Sequence, residues 1–260
     1  MVSNYEKFDE QKRAYTSRAD EIEFMYTKKL LDKYIKPADL VIELGCGTGY
    51  YGIYLADKCA GYHGVDLVTK HIKTFDTIIK ERQLTNLSAS VGDATDLAKT
   101  DSGSFDAVLV LGPMYHLPPI QRAEVIKESK RLCRPGGVIM FAYINKTGAY
   151  IRVCLDKALN ENYPNKKTNE YVLQREVDDI LPDVFFFTMP EDIEREATSQ
   201  GLKVLQNSGV DFVFNASEIN DMSEEKYAAW MQIADCMHES GSCTGASNHA
   251  VLVCQKPREE

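Results

Sequence analysis

Nine residues narrow the possible folds more than any others: Val41-Ile42-Glu43-Leu44-Gly45-Cys46-Gly47-Thr48-Gly49. An apolar strand, Leu40 to Leu44, stops at three glycines spaced two apart, and a helical pattern from Tyr50 to Cys59 follows at once. Glycines are required where the backbone turns tightly and where a ligand must approach it closely. The loop feeds a helix N-terminus, whose first N–H groups lack intrahelical partners. A nucleotide-like ligand is the first expectation.

The rest of the chain extends this unit. Asp20 to Ile35 carries apolar residues at three-to-four spacing and predicts an amphipathic helix ended by Lys36-Pro37. Strands are predicted at Tyr62 to Asp66, Leu87 to Val91, Phe105 to Leu111 and Val138 to Ile144. Helices are predicted at Lys70 to Arg82 and Ile120 to Cys133, the second with Ile120, Ala123, Val125, Ile126, Ser129 and Leu132 facing inward. Arg134-Pro135-Gly136-Gly137 is expected to break the chain before its strand. Strands alternating with helices predict a βαβ parallel sheet. Beyond Asn145 the pattern weakens. Residues 146 to 188 read as an insertion over the mouth of the core. After it come a helix opening at Pro190 and ending at Gly201, a strand at Leu202 to Phe214, a helix at Ser223 to Met237 and a last strand at His249 to Gln255. No internal repeat is present.

Composition excludes several classes. Among 260 residues, 30 are Lys or Arg and 39 are Asp or Glu, a net charge of −9. With no basic block, an electrostatic footprint for nucleic acid or anionic membrane is missing, which argues against such partners. The seven cysteines are odd in number and form no CxxC, so neither a disulfide framework nor a zinc site is expected, and a reducing cytoplasm is the natural compartment. The N-terminus has no apolar signal segment, and the apolar runs are strand-sized.

Two ligand classes compete for the glycine loop. The dinucleotide fingerprint is GxGxxG. Here the third glycine comes too soon, and Tyr50 stands where that pattern wants glycine or alanine, crowding a pyrophosphate. Glu43, two residues before the first glycine, is awkward beside a diphosphate and reasonable beside a cation. The second strand ends in Asp66, placed to accept both ribose hydroxyls. The third ends in Gly92-Asp93-Ala94, where Asp93 can accept from an adenine amine. The fourth ends in Leu111-Gly112-Pro113-Met114-Tyr115-His116. All fall at carboxyl ends of predicted strands, where open α/β sheets bind ligands.

On Glu43-x-Gly45-x-Gly47-x-Gly49, Asp66, Gly92-Asp93-Ala94, Phe105-Asp106-Ala107-Val108 and Arg134-Pro135-Gly136-Gly137, the chain resembles the class I S-adenosylmethionine-dependent methyltransferases. The resemblance covers residues 38 to 145 in order and extends to the last strand. The residues around Leu111 to Leu117 resemble a group of bacterial small-molecule methyltransferases within the family. It implies a single domain with a Rossmann-like α/β fold. The sheet would be seven-stranded and mostly parallel, with an antiparallel last strand. Residues 1–36 would form an N-terminal helical cap, 37–145 the cofactor core, 146–188 a lid and 189–260 the closing elements. It implies that Gly45, Cys46 and Gly47 line the methionine part of S-adenosylmethionine, with Glu43 organising the loop and Tyr50 beside it. Asp66 would hold the ribose, Leu67 would lie against the adenine, and Asp93 and Ala94 would hold the adenine edge. Leu111 would lie near the sulfonium. Arg13, Tyr15 or Arg18 would reach the cofactor carboxylate.

The implied reaction is methyl transfer to an O, N or S atom of a small molecule, releasing S-adenosylhomocysteine. Tyr115 and His116 are the catalytic candidates, since an imidazole near neutral pKa can act as a base; the alternative is that they shape the pocket. An RNA or protein acceptor, a non-catalytic cofactor binder and a dehydrogenase are the competing readings. The loop lacks the Asn/Asp-Pro-Pro-Tyr/Phe signature of amino-methylating enzymes of nucleic acid and protein. Phe185, Phe186 and Phe187 with Tyr171 read as the core of the insertion or as a hydrophobic cap. Cys236, His238 and Cys243 match no zinc spacing, and no metal is expected. A monomer or a homodimer is expected.

Overall fold

The computed structural model describes residues 17–155, 165–166, 169–170, 185–212 and 216–258. Helix α1 (Arg18–Tyr34) leads into β1 (Leu40–Leu44), α2 (Tyr50–Leu55), β2 (Gly61–Asp66), α3 (Thr69–Glu81), β3 (Leu87–Val91) and β4 (Phe105–Val110). A 3-10 turn at Pro113–His116 precedes α4 (Pro119–Leu132), β5 (Cys133–Asn145) and α5 (Lys146–Leu155). The remainder is β6 (Phe187–Thr188), α6 (Pro190–Ser199), β7 (Lys203–Gly209), α7 (Ala216–Asn220), α8 (Glu224–Glu239) and β8 (His249–Gln255).

The strands form one sheet in the order β3-β2-β1-β4-β5-β8-β7. It has eight strands where seven were expected, because β6, two residues long, pairs in parallel with Ile144 and Asn145 at the end of β5. Those two residues therefore belong to the sheet and not to a lid. Strand β8 runs antiparallel to both its neighbours, and the other described pairings are parallel.

The pleat sends alternate side chains to two cores. Val41, Met140, Val251 and Val253 pack with Tyr26 and Leu30 of α1, Leu55 of α2, Phe75 of α3 and Ala234 of α8. Ile42, Leu44, Val108, Val110, Phe141 and Leu252 pack with Ile126 of α4 and Ile193 of α6. Covering both faces is why β1 and β4 read as continuous apolar runs.

Four expectations are corrected. Ile120 is 77% exposed and Ala123 is also exposed, because α4 turns Arg122, Val125, Ile126, Ser129 and Leu132 inward instead. Arg134 to Gly137 do not break the chain: Cys133 already pairs with Phe105, and the ladder resumes at Ala107 and Val138 after a register shift. Helix α2 stops at Leu55, short of Cys59. Strand β7 ends at Gly209, short of Phe214.

In this order the chain leaves β1 toward β2 on one side, while β4 lies on the other. That reversal opens a crevice at the carboxyl ends of β1 and β4, the usual binding position in open α/β sheets.

Candidate active site

The glycine loop is shaped by close neighbours. Gly45 has φ +76°, and a Cβ there would lie 2.5 Å from the Pro113 ring. Gly49 has φ +85°, and a Cβ would lie 2.1 Å from the Phe75 ring. Both positions need glycine for conformation and for space. Gly45 and Cys46 donate their N–H groups to Val65 O at 2.7 and 3.0 Å, tying the loop to β2.

The loop opens onto a cavity of about 260 Å³. Gly45 to Thr48 line it together with Asp66 and Leu67 after β2, Gly92 to Ala94 after β3, and Leu111 to Pro113 after β4. Tyr115, His116 and Leu117 continue the wall, and Tyr50, Tyr51 and His71 add to it. Glu23 and Phe24 of α1 close the opposite side.

Asp66 is held by the backbone around it. Gly47 N donates to Oδ2 at 2.9 Å, Val68 N donates to Oδ1 at 2.8 Å, and His71 Nδ1 lies 3.3 Å from Oδ1. Leu67, beside it, is 57% exposed, as a surface awaiting a flat ligand would be. Asp93 is fixed at the rim by Thr95, whose N and Oγ1 donate to its Oδ1 at 2.9 and 2.7 Å. Glu43 is buried and accepts the Tyr62 hydroxyl. Burial raises the Tyr62 hydroxyl well above its ordinary range and the Glu43 charge adds to this, so Tyr62 stays a donor. The Cys46 thiol is also pushed up, first by burial and then by the charges of Glu43 and Asp66, and it is not a nucleophile. The Tyr50 hydroxyl accepts from Lys28 Nζ at 2.7 Å, and its ring lies 4.6 Å from that of Phe24.

Tyr115 donates weakly to Leu111 O at 3.4 Å. The His116 ring lies 4.6 Å from Tyr115 and 5.2 Å from Phe185. Phe186 N donates to Tyr115 O at 2.8 Å. Phe185 is 43% exposed and leans on this turn instead of filling a core.

Of the residues singled out in the sequence, Glu43, Gly45, Cys46, Gly47, Tyr50, Asp66, Leu67, Asp93, Ala94, Leu111, Tyr115 and His116 all line the cavity. Arg18 is a correction. Its guanidinium donates to Met222 O at 2.6 Å, pairs with Glu224 and stacks on Tyr227, so it serves the contact between α1 and α8. Arg13, Tyr15 and Tyr171 lie outside the described residues. His238 is buried, with Nδ1 bonded to Gly209 O at 2.8 Å, a structural role.

Glu23, Phe24, Tyr51 and His71 were missed in the sequence. Glu23 and Phe24 sit between the core positions Ile22 and Tyr26, where the apolar spacing carries no signal.

The residues present fit S-adenosylmethionine. The cradle leaves no room for side chains at Gly45. Glu23, Glu43, Asp66 and Asp93 line the cavity, and among its described lining residues there is no lysine or arginine. Such a wall suits a sulfonium bearing a ribose and opposes a diphosphate. This disfavours the dinucleotide alternative.

Comparison with known proteins agrees. Residues 41–137 match the family model described as a methyltransferase domain. The ubiquinone biosynthesis O-methyltransferase of Coxiella burnetii (strain RSA 331 / Henzerling II) is 28% identical over 173 residues, 66% of this chain and 67% of that one. The chain thus spans about two thirds of the length of the curated relatives it matches. In fold it is similar to the PH0226 protein of Pyrococcus horikoshii OT3, with a TM-score of 0.62 and 18% identity over 98% of this chain and 99% of that one. It is also similar to geranyl diphosphate C-methyltransferase of Streptomyces coelicolor A3(2), solved with Mg2+, geranyl diphosphate and S-adenosyl-L-homocysteine. There the TM-score is 0.59 and the identity 12%, over 96% of this chain and 83% of that one. No helix among the described residues is long and apolar enough to cross a membrane. Residues 41–137 carry a methyltransferase domain, and the chain is similar in sequence and fold to S-adenosylmethionine-dependent methyltransferases.

Proposed function

We propose that the enzyme methylates an oxygen atom of a small aromatic acceptor, a phenol being the simplest case. The observation that carries this reading is the composition of the cavity wall. Glu43, Asp66, Asp93 and glycine backbone come from β1 to β3 and the turns after them, and Phe24, Tyr51, Tyr115 and His116 add aromatic surface from other elements. Aromatic walls receive a flat ring by offset or edge-to-face contact. The O-methyltransferase relatives support oxygen as the atom attacked.

S-adenosylmethionine, when bound, supplies a methyl group already activated on sulfur. The chain's task is then to bind, align and dry the site. Asp66 would accept the ribose hydroxyls, with Leu67 against the adenine and Asp93 and Ala94 at its edge. Gly45, Cys46 and Gly47 would bound the methionine part, Glu43 and Tyr50 would support that end, and Leu111 would flank the sulfur. Tyr115 and His116 would touch the acceptor and hold its oxygen in line with the methyl carbon, where alignment contributes most of the rate. We infer further that the enzyme works in the cytoplasm as a monomer or homodimer, a compartment supported by its seven free cysteines.

Calorimetric titration with S-adenosylmethionine, S-adenosylhomocysteine and NAD in parallel tests the cofactor half. Micromolar binding of the first two and none of NAD is expected. Transfer of labelled methyl to a panel of phenols, amines and thiols tests the acceptor half, and methylation of amines or thiols alone would overturn the choice of oxygen.

A further inference from the structure

Methyl transfer from sulfur to a phenol oxygen must place one proton. Tyr115 and His116 sit on one another beside Phe185, and a second group of acid–base side chains reaches the cavity through Glu23. Glu23 projects from α1 into the cavity wall. Behind it, His249 opens β8, opposite Ile144 at the carboxyl end of β5. Asp211 lies in the turn after β7. His249 Nδ1 is 2.6 Å from Asp211 Oδ2 and 3.5 Å from Glu23 Oε2. One atom from each of the three side chains lies within 4.8 Å of the others.

Asp211 is anchored from several elements. It accepts His249 N at 2.5 Å and Ser247 Oγ at 3.1 Å on Oδ1, and Asn248 Nδ2 at 3.4 Å on Oδ2. Arg152 of α5 stands 4.0 Å from Oδ2. Among the described residues Tyr51 of α2 is a further titratable group beside Glu23, its hydroxyl raised first by burial and then by the Glu23 charge, so that it stays neutral. The imidazole Nδ1 thus faces two carboxylates, that of Asp211, which the His249 charge and hydrogen bonds hold low, and that of Glu23, which borders the cavity. A ring so placed, with its Nδ1 proton on Asp211, orients the Glu23 carboxylate beside it.

We propose that Glu23 receives the proton of the acceptor hydroxyl, with His249 and Asp211 as the positioning residues behind it. The inference rests on the methyl-transfer reading above. The bonds balance simply. As the oxygen lone pair forms the O–CH3 bond, the S–C pair returns to sulfur, and the O–H proton passes to a Glu23 carboxylate oxygen. Glu23 releases it to solvent once the product leaves. A carboxylate suffices because the attacked hydroxyl becomes strongly acidic as the new bond forms.

The test uses full-length enzyme, S-adenosylmethionine, and catechol and 3,4-dihydroxybenzoate as acceptor probes. Glu23→Gln is expected to lower kcat at least 100-fold and to leave the Kd for S-adenosylhomocysteine within about twofold, with Glu23→Asp partly restoring turnover. If Glu23→Gln does not fold, Glu23→Asp carries the test through its intermediate kcat. His249→Gln is expected to lower kcat about tenfold while the acceptor KM and the Kd for S-adenosylhomocysteine stay within about twofold. A merely structural role would weaken S-adenosylhomocysteine binding and stability along with turnover.

A Glu23→Gln enzyme with normal kcat would overturn the proposal. So would one whose defect is weaker S-adenosylhomocysteine binding, which would assign Glu23 to the cofactor's amino group. Loss of wild-type activity in EDTA, restored by Mn2+, would overturn it in favour of a metal held by the three residues. A wild type that binds S-adenosylhomocysteine but methylates neither phenol would overturn it and leave methyl transfer standing. Failure to bind S-adenosylhomocysteine would sink the methyl-transfer reading itself.

Discussion

Gly47 donates its backbone N–H to Oδ2 of Asp66 at 2.9 Å, so the glycine loop itself aims the acid at the end of β2. The loop and the carboxylate form one device. Asp66→Ala removes both the ligand acceptor and the clamp on the loop. The Kd for S-adenosylhomocysteine should rise roughly 10- to 100-fold, the range for losing charged hydrogen bonds. Calorimetry reads this directly, and an unchanged Kd would remove Asp66 from the cofactor site.

Gly49→Ala should unfold the loop more than it alters chemistry. Its φ of +85° and the Phe75 ring 2.1 Å from the added carbon act together. A loss of roughly 2–4 kcal/mol is expected, from left-handed strain plus overpacking. The urea midpoint measures it, and a variant as stable as wild type would contradict the geometry.

Tyr62→Phe deletes the hydroxyl that Glu43 accepts in the buried floor of the site. Leaving a buried carboxylate short of a donor costs about 1–3 kcal/mol. Chemical denaturation should show that loss together with weaker cofactor binding. Equal stability would mean that water replaces the hydroxyl without cost.

Asp211→Asn should lose stability in a pH-dependent way. Burial alone would raise the Asp211 carboxyl, but the charge and hydrogen bonds of His249, with Arg152 beyond, more than reverse this and bring it to about 2. A pKa held below that of the unfolded chain stabilises the fold above about pH 4, and the gain disappears as pH falls toward 2. The wild type should therefore exceed the variant by about 2 kcal/mol at pH 7 and by little near pH 2.5. A gap that is the same at both pH values would refute the linkage.

Arg18→Ala tests the corrected assignment. Since this guanidinium joins α1 to Met222, Glu224 and Tyr227, cofactor affinity should stay within about threefold. A large rise in Kd would return Arg18 to the site.

What could be read from the residues depended on locality. The strand, glycine turn and helix at Leu40 to Leu55 announce themselves because every determinant lies within 16 residues. The cavity edge at Asp66, Asp93 and Leu111 was legible because strand ends carry apolar-to-polar boundaries. Ile120 misled because a helix-period pattern tolerates one apolar residue on its wet face, and the rotation of α4 is set by Val125, Ile126 and Leu132. β6 was invisible because two residues hold no period, and only the end of β5 makes them a strand. The Glu23, Asp211 and His249 cluster was invisible for a different reason: its members come from three elements far apart in the chain, and Glu23 reads as an ordinary polar position on an amphipathic helix.

Strand β8, later in the chain than every other described strand, lies between β5 and β7. During synthesis on the ribosome, β7 therefore emerges before the strand that bridges it to the sheet, and waits without a partner while α7 and α8 are made. His249 is the first residue of that bridging strand, so Glu23 gains the imidazole behind it only when the sheet is finally stitched shut.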